Sequence, residues 1–432
     1  MKRLIFMNDI LFHSTSNLPT WHSWIADILN PAIDLACNQK IILFPDLTNK
    51  DGEVFNRKKF YELSNIHNIT QSYYPYEISN IQKSSWEYLF SFITKEDLII
   101  GCEIGLDLRR ALTKERISFI NFWFHSFKLF DDICFMLNTN NRTIFKKIKK
   151  YQIPKQKFNL YTTITKRKLL SDVEKLPIED NCCLFIGQTM TDKSIEKNGK
   201  FLNISDFAKE IDDCHHKYSK IYYVPHPYAP IKSCPEVYEF IKKRPFIQVL
   251  QNVPTYTLLS SDKVKKVIAL SSSVLYEAQF FGKDIEYLYQ PLFNIDAEYD
   301  ENTWISVYND YLNPKFWIEI LDEYFQVNQE NALITLFDHR QSVIRGDVAN
   351  AYHGYRLLDN YMLISDKIKQ LENKPSIYKT TKTHNKIAHY LCGIPFYKQI
   401  QKDNKMTYYL LGLPIYRRCG EKISILGIPI PN

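Results

Sequence analysis

Three polar segments in the second half of this 432-residue chain carry side chains that can bind anions or act as bases. In the first, an apolar run ends in a loop that contains Gln188, Thr189, Asp192 and Lys193. An aspartate held in such a loop can act as a base, as a nucleophile or as a partner of a hydroxyl group. Aspartate and serine are equally common in helix caps and turns, so this loop alone leaves a structural role open.

The second segment presents His226 between Pro225 and Pro227, directly after an apolar run. The two prolines restrict the backbone and interrupt the hydrogen bonding of a strand. A histidine held so stiffly loses little entropy when it donates a hydrogen bond to a phosphate oxygen. An ordinary proline-rich surface turn is the alternative.

The third segment places Ser271, Ser272 and Ser273 between an apolar run and an amphipathic stretch that includes Glu277. Serine hydroxyls and the free N–H groups at the start of a helix can cradle a phosphate. Glu277, one turn later, could accept hydrogen bonds from ribose hydroxyls. A serine N-cap with glutamate as its capping partner has the same spacing, so both interpretations stay open.

The order and spacing of these three segments resemble the GT-B glycosyltransferases that use CMP-sugars, which include bacterial sialyltransferases and Kdo transferases. The resemblance covers roughly residues 95–290. It implies that the His226-Pro227 pair and the three serines hold the cytidine nucleotide, and that Gln188, Thr189, Lys193 and Glu277 complete the donor site.

Within that group, the chain is most similar to the retaining β-Kdo transferases of glycosyltransferase family 99. An Asp/Glu-Asp-Gly triplet, typical of the sialyltransferases, does not occur in the first half. The resemblance assigns to Asp192 the role of nucleophile in a double displacement. An inverting CMP-sialic acid transferase is the alternative within the class. A non-catalytic glycan-assembly protein of the same fold and a nucleotide-sugar epimerase are the alternatives outside it.

The first half offers three partners for this chemistry. Glu103 lies between an apolar run and a helix-like stretch, where a carboxylate can activate an acceptor hydroxyl. His125 and Lys128 follow another apolar run. Lys128 could bind one of the two anions of a CMP-Kdo donor, whereas His125 could equally be a histidine satisfied by backbone groups at the edge of the core.

Short apolar runs alternate with amphipathic stretches and must position these residues. The pattern predicts nine strands, namely Arg3–Met7, Lys40–Phe44, Asp97–Gly101, Ile117–Trp123, Cys182–Gln188, Lys220–Val224, Phe246–Leu250, Val267–Leu270 and Ile285–Leu288. Such alternation favours parallel sheets covered by helices on both faces. We therefore expect an α/β fold with two Rossmann-like domains in a GT-B architecture. The predicted acceptor domain is 1–175, the predicted donor domain is 176–345, and a helical crossover segment follows at 346–375.

Residues 376–432 differ from the rest. Three apolar runs end in Gly-Ile-Pro or Gly-Leu-Pro, with glycines at Gly393, Gly412 and Gly427. Because proline blocks a helix at these points, we expect two to three short strands joined by turns. Tyrosines and arginines in these runs suit a contact with a membrane or a partner protein, and an edge hairpin packed on the domain is the alternative.

Composition narrows the function classes. A net charge of +7 suits an anionic donor, an acidic glycan or a membrane surface, and no nucleic-acid-binding signature is present. The nine cysteines include the adjacent pair Cys182 and Cys183, are otherwise scattered and form no CxxC pattern, which is typical of reduced thiols. The absence of a DxD motif agrees with a metal-free enzyme without cofactor. No run is long enough to span a bilayer, so we expect a cytoplasmic protein with at most peripheral contact with the inner membrane.

Overall fold

The computed structural model describes most of the chain. The described residues are 2–11, 23–67, 81–132, 134–190, 193–197, 200–226, 229, 231–251, 253–290, 293–335, 378–383, 386–391, 394–402, 405–411, 413–419, 422–426 and 428–430. Contacts divide the chain into two compact units, Met1–Val348 and Ala349–Asn432. None of the helices in this described part has both the length and the apolar character that a membrane span requires.

The first unit contains fourteen strands among its described residues. In chain order they are β1 (Leu4–Asn8), β2 (Ile41–Leu43), β3 (Leu98–Cys102), β4 (Ser118–Phe124), β5 (Phe135–Thr139), β6 (Cys182–Ile186), β7 (Glu196–Lys197), β8 (Lys200–Phe201), β9 (Ile221–Val224), β10 (Ile247–Val249), β11 (Val264–Ala269), β12 (Asp284–Tyr287), β13 (Asn294–Ile295) and β14 (Thr303–Val307).

Twelve α-helices accompany these strands in the described part of the first unit. They are α1 (Ser23–Cys37), α2 (Arg57–Glu62), α3 (Lys83–Phe90), α4 (Leu106–Lys114), α5 (Arg142–Lys149), α6 (Lys155–Lys168), α7 (Leu170–Val173), α8 (Ala208–His215), α9 (Pro235–Lys242), α10 (Thr255–Ser260), α11 (Val274–Phe280) and α12 (Pro314–Leu321).

The first sheet has the strand order β13-β14-β5-β4-β3-β1-β2. Strands β2, β1, β3 and β4 are parallel, whereas β5 runs antiparallel to both β4 and β14. Leu4 and Phe6 pack with α1 and α12 on one face, and Ile5 and Met7 pack with α3 and α4 on the other. Since successive side chains of a strand point to opposite faces, this continuous apolar run reflects a sheet covered on both sides.

The second sheet is entirely parallel, with the order β10-β9-β6-β11-β12. Its first strand in the chain, β6, lies in the centre. The next two strands extend the sheet to one side and the last two extend it to the other. This is the Rossmann order, in which ligands bind beyond the carboxyl ends of the strands where the order reverses. The two sheets together form a GT-B-like α/β fold.

All nine predicted strands are present, with ends that differ from the prediction by at most three residues. The structure contains two further buried strands, β5 and β14, which the sequence pattern missed. It also places β13, β14 and α12 with the first sheet. Residues 294–321 were predicted to belong to the donor domain, and their packing differs because β14 pairs with β5. The predicted crossover segment at 346–375 lies outside the described residues.

The described residues of the second unit form one antiparallel sheet of seven strands in sequential order. The strands are β15 (Tyr378–Thr383), β16 (Lys386–Leu391), β17 (Ile394–Lys402), β18 (Lys405–Leu410), β19 (Leu413–Cys419), β20 (Lys422–Ile425) and β21 (Ile428–Ile430). The prediction of two to three strands was too low, because each apolar run forms a hairpin and the lysine-rich stretches between them are paired as well.

Candidate active site

A cavity of about 280 Å³ lies where the loop after β4 meets the loops after β6, β9 and β11. Both sheets of the first unit contribute to its walls. The polar side chains that line it are those of His125, Ser126, Lys128, Gln188, Ser194, His226, Ser271, Ser272, Ser273, Tyr276 and Tyr287. Seven of the residues predicted from the sequence therefore lie around one cavity, although they are up to 148 positions apart in the chain.

Gln188, Ser194 and Ser271 form a hydrogen-bonded triangle at the base of this cavity. The Gln188 amide nitrogen donates to the hydroxyl of Ser194 at 3.1 Å and to that of Ser271 at 3.0 Å. The Gln188 carbonyl accepts from the backbone N–H of Ser271 at 2.7 Å, and the two serine hydroxyls are 2.7 Å apart. These bonds fasten the loop after β6 to the loop after β11, so the triangle fixes the position of both loops.

Gly187 allows this arrangement because the chain passes close to the neighbouring strand. A Cβ atom at this position would lie 2.5 Å from the hydroxyl of Tyr223 and 3.1 Å from the carbonyl oxygen of Val224. The backbone N–H of Gly187 donates to the same carbonyl at 2.8 Å. Glycine is therefore required by close approach rather than by an unusual backbone angle.

His226 stands between two cavities. It lines the one described above and also a second cavity of about 580 Å³, whose walls include Pro225, Lys232, Gln251 and Pro254. The carbonyl of His226, directly after β9, accepts from the backbone N–H of Ala229 at 2.9 Å. A side chain in this position can contact one ligand that extends through both cavities.

His125 is buried, and each ring nitrogen has a partner. Its Nδ1 accepts from the backbone N–H of Phe127 at 2.8 Å, so the proton resides on Nε2, which donates to the Ser306 hydroxyl at 2.8 Å. Ser306 in turn donates to Asp296 at 2.7 Å. Burial lowers the pKa of His125 to about 3. The ring is thus a neutral, fixed wall of the cavity.

Glu277 is buried on α11 and links the second sheet to the first. Its Oε1 accepts from the backbone N–H of Lys128 and from the hydroxyl of Tyr256, both at 2.8 Å. Burial raises the pKa of Glu277 to about 7, and these hydrogen bonds oppose the rise. The carboxyl group does not line either of the two cavities, whereas the exposed side chain of Lys128 lines the first.

Glu103 follows β3 at the edge of the first sheet and has a left-handed backbone conformation, with φ of 52°. Its backbone N–H donates to the carbonyl of Phe122 on β4 at 2.9 Å, and its side chain is half-buried. A non-glycine residue with positive φ is uncommon and costs conformational energy. Glu103 lines neither of the two cavities beside His226.

Four predicted residues remain, namely Thr189, Asp192, Lys193 and Pro227. Thr189 lines a third, smaller cavity beside β6. Lys193 begins a short 3-10 helix that ends at Ile195. Asp192 and Pro227 lie outside the described residues.

The sequence prediction missed the aromatic walls of the cavity. Trp123 and Phe293 pack with ring centroids 5.1 Å apart, and the ring of Tyr276 lies 5.3 Å from that of His125. Trp123 ends a strand that was predicted, so its position at the carboxyl edge was a usable signal. Phe293 precedes a two-residue strand that is not part of an apolar run, so the sequence offered no signal for it.

No family model matches the chain, and no curated protein matches it. Among solved structures, it is similar to two structures of KpsC from Thermosulfurimonas dismutans. The β-Kdo 2,7 transferase is 14% identical over 49% of this chain and 70% of that one, with a TM-score of 0.31. The β-Kdo 2,4 transferase is 12% identical over 66% and 78%, with a TM-score of 0.30.

A UDP-GlcNAc 2-epimerase from Neisseria meningitidis, bound to UDP-GlcNAc, is 10% identical over 86% of this chain and 100% of that one. Its TM-score is 0.25. Similarities as remote as these assign no activity. The strand orders and the cavity at the carboxyl edge of the parallel strands define the chain as a GT-B-like α/β protein with a polar site between its two sheets.

Proposed function

We propose that the chain is a glycosyltransferase that moves a 2-keto-3-deoxy sugar acid from a CMP-sugar to a bacterial surface glycan. The favoured reaction transfers β-Kdo from CMP-Kdo, with retention, to a lipopolysaccharide O-antigen or a capsule. One observation carries the proposal. His226 and the triangle of Gln188, Ser194 and Ser271 converge on one cavity at the switch point of a parallel sheet.

The donor is expected to occupy both cavities. Its phosphate would lie beside His226 and the hydroxyls of Ser272 and Ser273, which are donors suited to anionic oxygens. The nucleoside would extend into the second cavity, past His226 towards Lys232 and Gln251. The sugar carboxylate would remain in the first cavity, where Lys128 supplies a positive charge.

Retention requires two displacements at the anomeric carbon. In the first, a carboxylate oxygen of Asp192 forms a bond to that carbon, and the bond to the CMP oxygen breaks with its electron pair. In the second, the acceptor hydroxyl attacks the same carbon, Asp192 leaves, and a base takes the hydroxyl proton. Glu103, at the edge of the first sheet, is the proposed base. CMP leaves as a phosphate monoester, so the mechanism requires no metal or other cofactor.

Nucleotide binding provides the first test. Titration calorimetry with CMP, UDP and GDP should give heat only, or most strongly, with CMP. His226→Ala should weaken CMP binding roughly tenfold, since a hydrogen bond to a charged group is lost. Ser219→Ala, on an exposed serine remote from the cavity, is the matched control. A preference for UDP or GDP would refute the assignment of the donor.

Turnover provides the second test. Asp192→Asn should abolish transfer from CMP-Kdo and leave CMP affinity unchanged, with Asp213→Asn on the surface as control. CMP-sialic acid accepted in place of CMP-Kdo would favour the inverting sialyltransferase. CMP binding without transfer from either sugar nucleotide would favour a non-catalytic glycan-assembly protein.

A further inference from the structure

Three turns of the antiparallel sheet in the second unit lie at the same end of it. They connect β16 to β17, β18 to β19 and β20 to β21, and in a meander every second turn returns to the same end. In sequence, these turns are Leu-Cys-Gly-Ile, Leu-Leu-Gly-Leu and Ile-Leu-Gly-Ile. The three turns at the opposite end are His-Asn, Asp-Asn and Gly-Glu. One end of the sheet is therefore apolar and the other polar.

The apolar turns follow one another at a regular stagger along the sheet. Leu410, just before the second turn, pairs with Tyr397, and Ile425, just before the third, pairs with Tyr416. These pairings occupy equivalent positions in the repeats, so the stagger from one turn to the next is the same. The backbone N–H of Leu426 also donates to the carbonyl of Ile415 at 2.9 Å, which holds the third turn against β19. The leucines of the second and third turns therefore occupy equivalent positions of the repeat.

The leucines in the second and third turns are exposed, and two of them have strained backbone angles. Leu411 has φ of 48° and is 70% exposed, and Leu426 has φ of 51° and is 66% exposed. Hairpin turns of two residues usually place asparagine, aspartate or glycine where φ is positive, and a bulky residue there is an outlier. Leu413 beside them is 67% exposed. These side chains add strain without burial, so the fold alone does not explain them.

Aromatic and basic residues lie directly behind the turns. Tyr409 precedes Leu410, and Lys398 on the neighbouring strand pairs with it, its ammonium group 5.4 Å from the centre of the tyrosine ring. Arg417 and Arg418 follow on β19, and both are exposed. Tyrosine with lysine or arginine behind an apolar tip is the arrangement favoured at the boundary between lipid tails and headgroups.

The charge of the whole chain is concentrated in this sheet. Residues 378–432 contain nine lysines and arginines and two acidic residues, which is a surplus of seven. Residues 1–377 contain 46 basic and 46 acidic residues and are neutral. The net charge of +7 therefore comes entirely from residues 378–432, which form the antiparallel sheet, and an anionic surface is its complementary partner.

We propose that the three apolar turns insert into the headgroup boundary of a membrane that contains anionic phospholipids. Lys398, Arg417 and Arg418 contact the headgroups, and the polar turns at the opposite end stay in water. The sheet is a lipid-binding module, and this role does not depend on which nucleotide or sugar the first unit binds. If two copies of the chain instead covered these turns in a dimer, the same leucines would contact protein rather than lipid. Flotation and light scattering distinguish the two arrangements.

Flotation of the full-length protein with lipid vesicles tests this proposal. The vesicles are phosphatidylcholine alone, and phosphatidylcholine with an equal part of phosphatidylglycerol. The protein should float with the anionic vesicles, and added salt should weaken the binding. The double variant Leu411→Asn/Leu426→Asn should bind roughly a hundredfold less tightly, since each leucine contributes roughly tenfold. Asparagine tolerates positive φ, so the variant should melt at no lower temperature than the parent chain.

Leu333→Asn is the matched control, because Leu333 is a 92% exposed leucine of the first unit. It should float as the parent chain does. Calorimetry with CMP on the double variant should give the parent affinity, which separates this proposal from the one on nucleotide binding. Equal flotation of the double variant and the parent chain would overturn the proposal. So would a dimer, detected by light scattering, that the double substitution dissociates while flotation is unchanged.

Discussion

The carboxyl group of Glu277 should make the stability of the first unit fall as pH rises. The side chain is only 1% exposed, and its pKa is about 7 compared with 4.5 for an ordinary glutamate. Each unit of difference between native and unfolded pKa corresponds to about 1.4 kcal/mol. The difference at Glu277 therefore corresponds to about 3 kcal/mol of unfolding free energy.

The sign follows from proton binding. Because the native pKa is the higher one, the native state holds the proton more tightly between the two values. Stability due to this group is complete below the unfolded pKa, and it is lost as pH rises through the native value near 7. A glutamine keeps the carbonyl that accepts from Lys128 and Tyr256 but has no proton to lose. Relative to the parent chain, Glu277→Gln should gain about 3 kcal/mol between about pH 4 and pH 8.

Urea unfolding followed by tryptophan fluorescence, repeated across this pH range, measures the effect. Glu210→Gln on the exposed face of α8 is the control and should run parallel to the parent chain at every pH. If the difference between Glu277→Gln and the parent chain does not change with pH, the carboxyl group has the same pKa in the native and unfolded states, and burial does not raise that pKa.

Three further outcomes follow from the packing. Gly187→Ala should destabilise the first unit by about 1–3 kcal/mol in thermal unfolding, because the new methyl group would clash with the Tyr223 side chain. Adding Tyr223→Phe, which removes the hydroxyl nearest to that methyl group, should recover part of the lost stability. Arg109→Met should cost about 2–4 kcal/mol in the same measurement, because the buried guanidinium donates to Asn138, to Asn302 and to the carbonyl of Glu301. The nitrogen NMR signals of His125 should show one tautomer, with the proton on Nε2, and no titration through the neutral range, in line with a pKa of about 3; an inflection near neutrality would contradict its burial.

Strand positions could be predicted from the sequence because each core strand is a short, continuous apolar run. Leu98–Cys102 and Cys182–Ile186, for example, are buried at every position. Sheet membership could not be predicted in the same way. An apolar run such as Thr303–Val307 indicates a buried strand, but its composition does not indicate which sheet the strand joins. Its partner, Phe135–Thr139, lies far back in the chain.

In the candidate site too, local positions were predictable from the sequence and long-range partners were not. Gln188, His226 and Ser271 were predictable because polar residues directly follow apolar strands, and parallel strands end at one edge of a sheet. The partner of Glu277 was not predictable, because the backbone N–H of Lys128 is 149 positions away. The same limit applies to Ser306, which joins His125 to Asp296 only after β14 has returned to the first sheet.

The return of β14 also determines when the first sheet can form during synthesis. Its inner strand β5 has an unpaired edge until residues 303–307 arrive, and α1 lacks its packing partner until α12 is made. The whole second sheet is synthesised in the interval. A fragment that ends at residue 175 would therefore expose an apolar strand edge and a half-covered sheet face, which favours aggregation. During synthesis on the ribosome, the parallel second sheet is therefore the first sheet whose strands are all available before the rest of the chain is made.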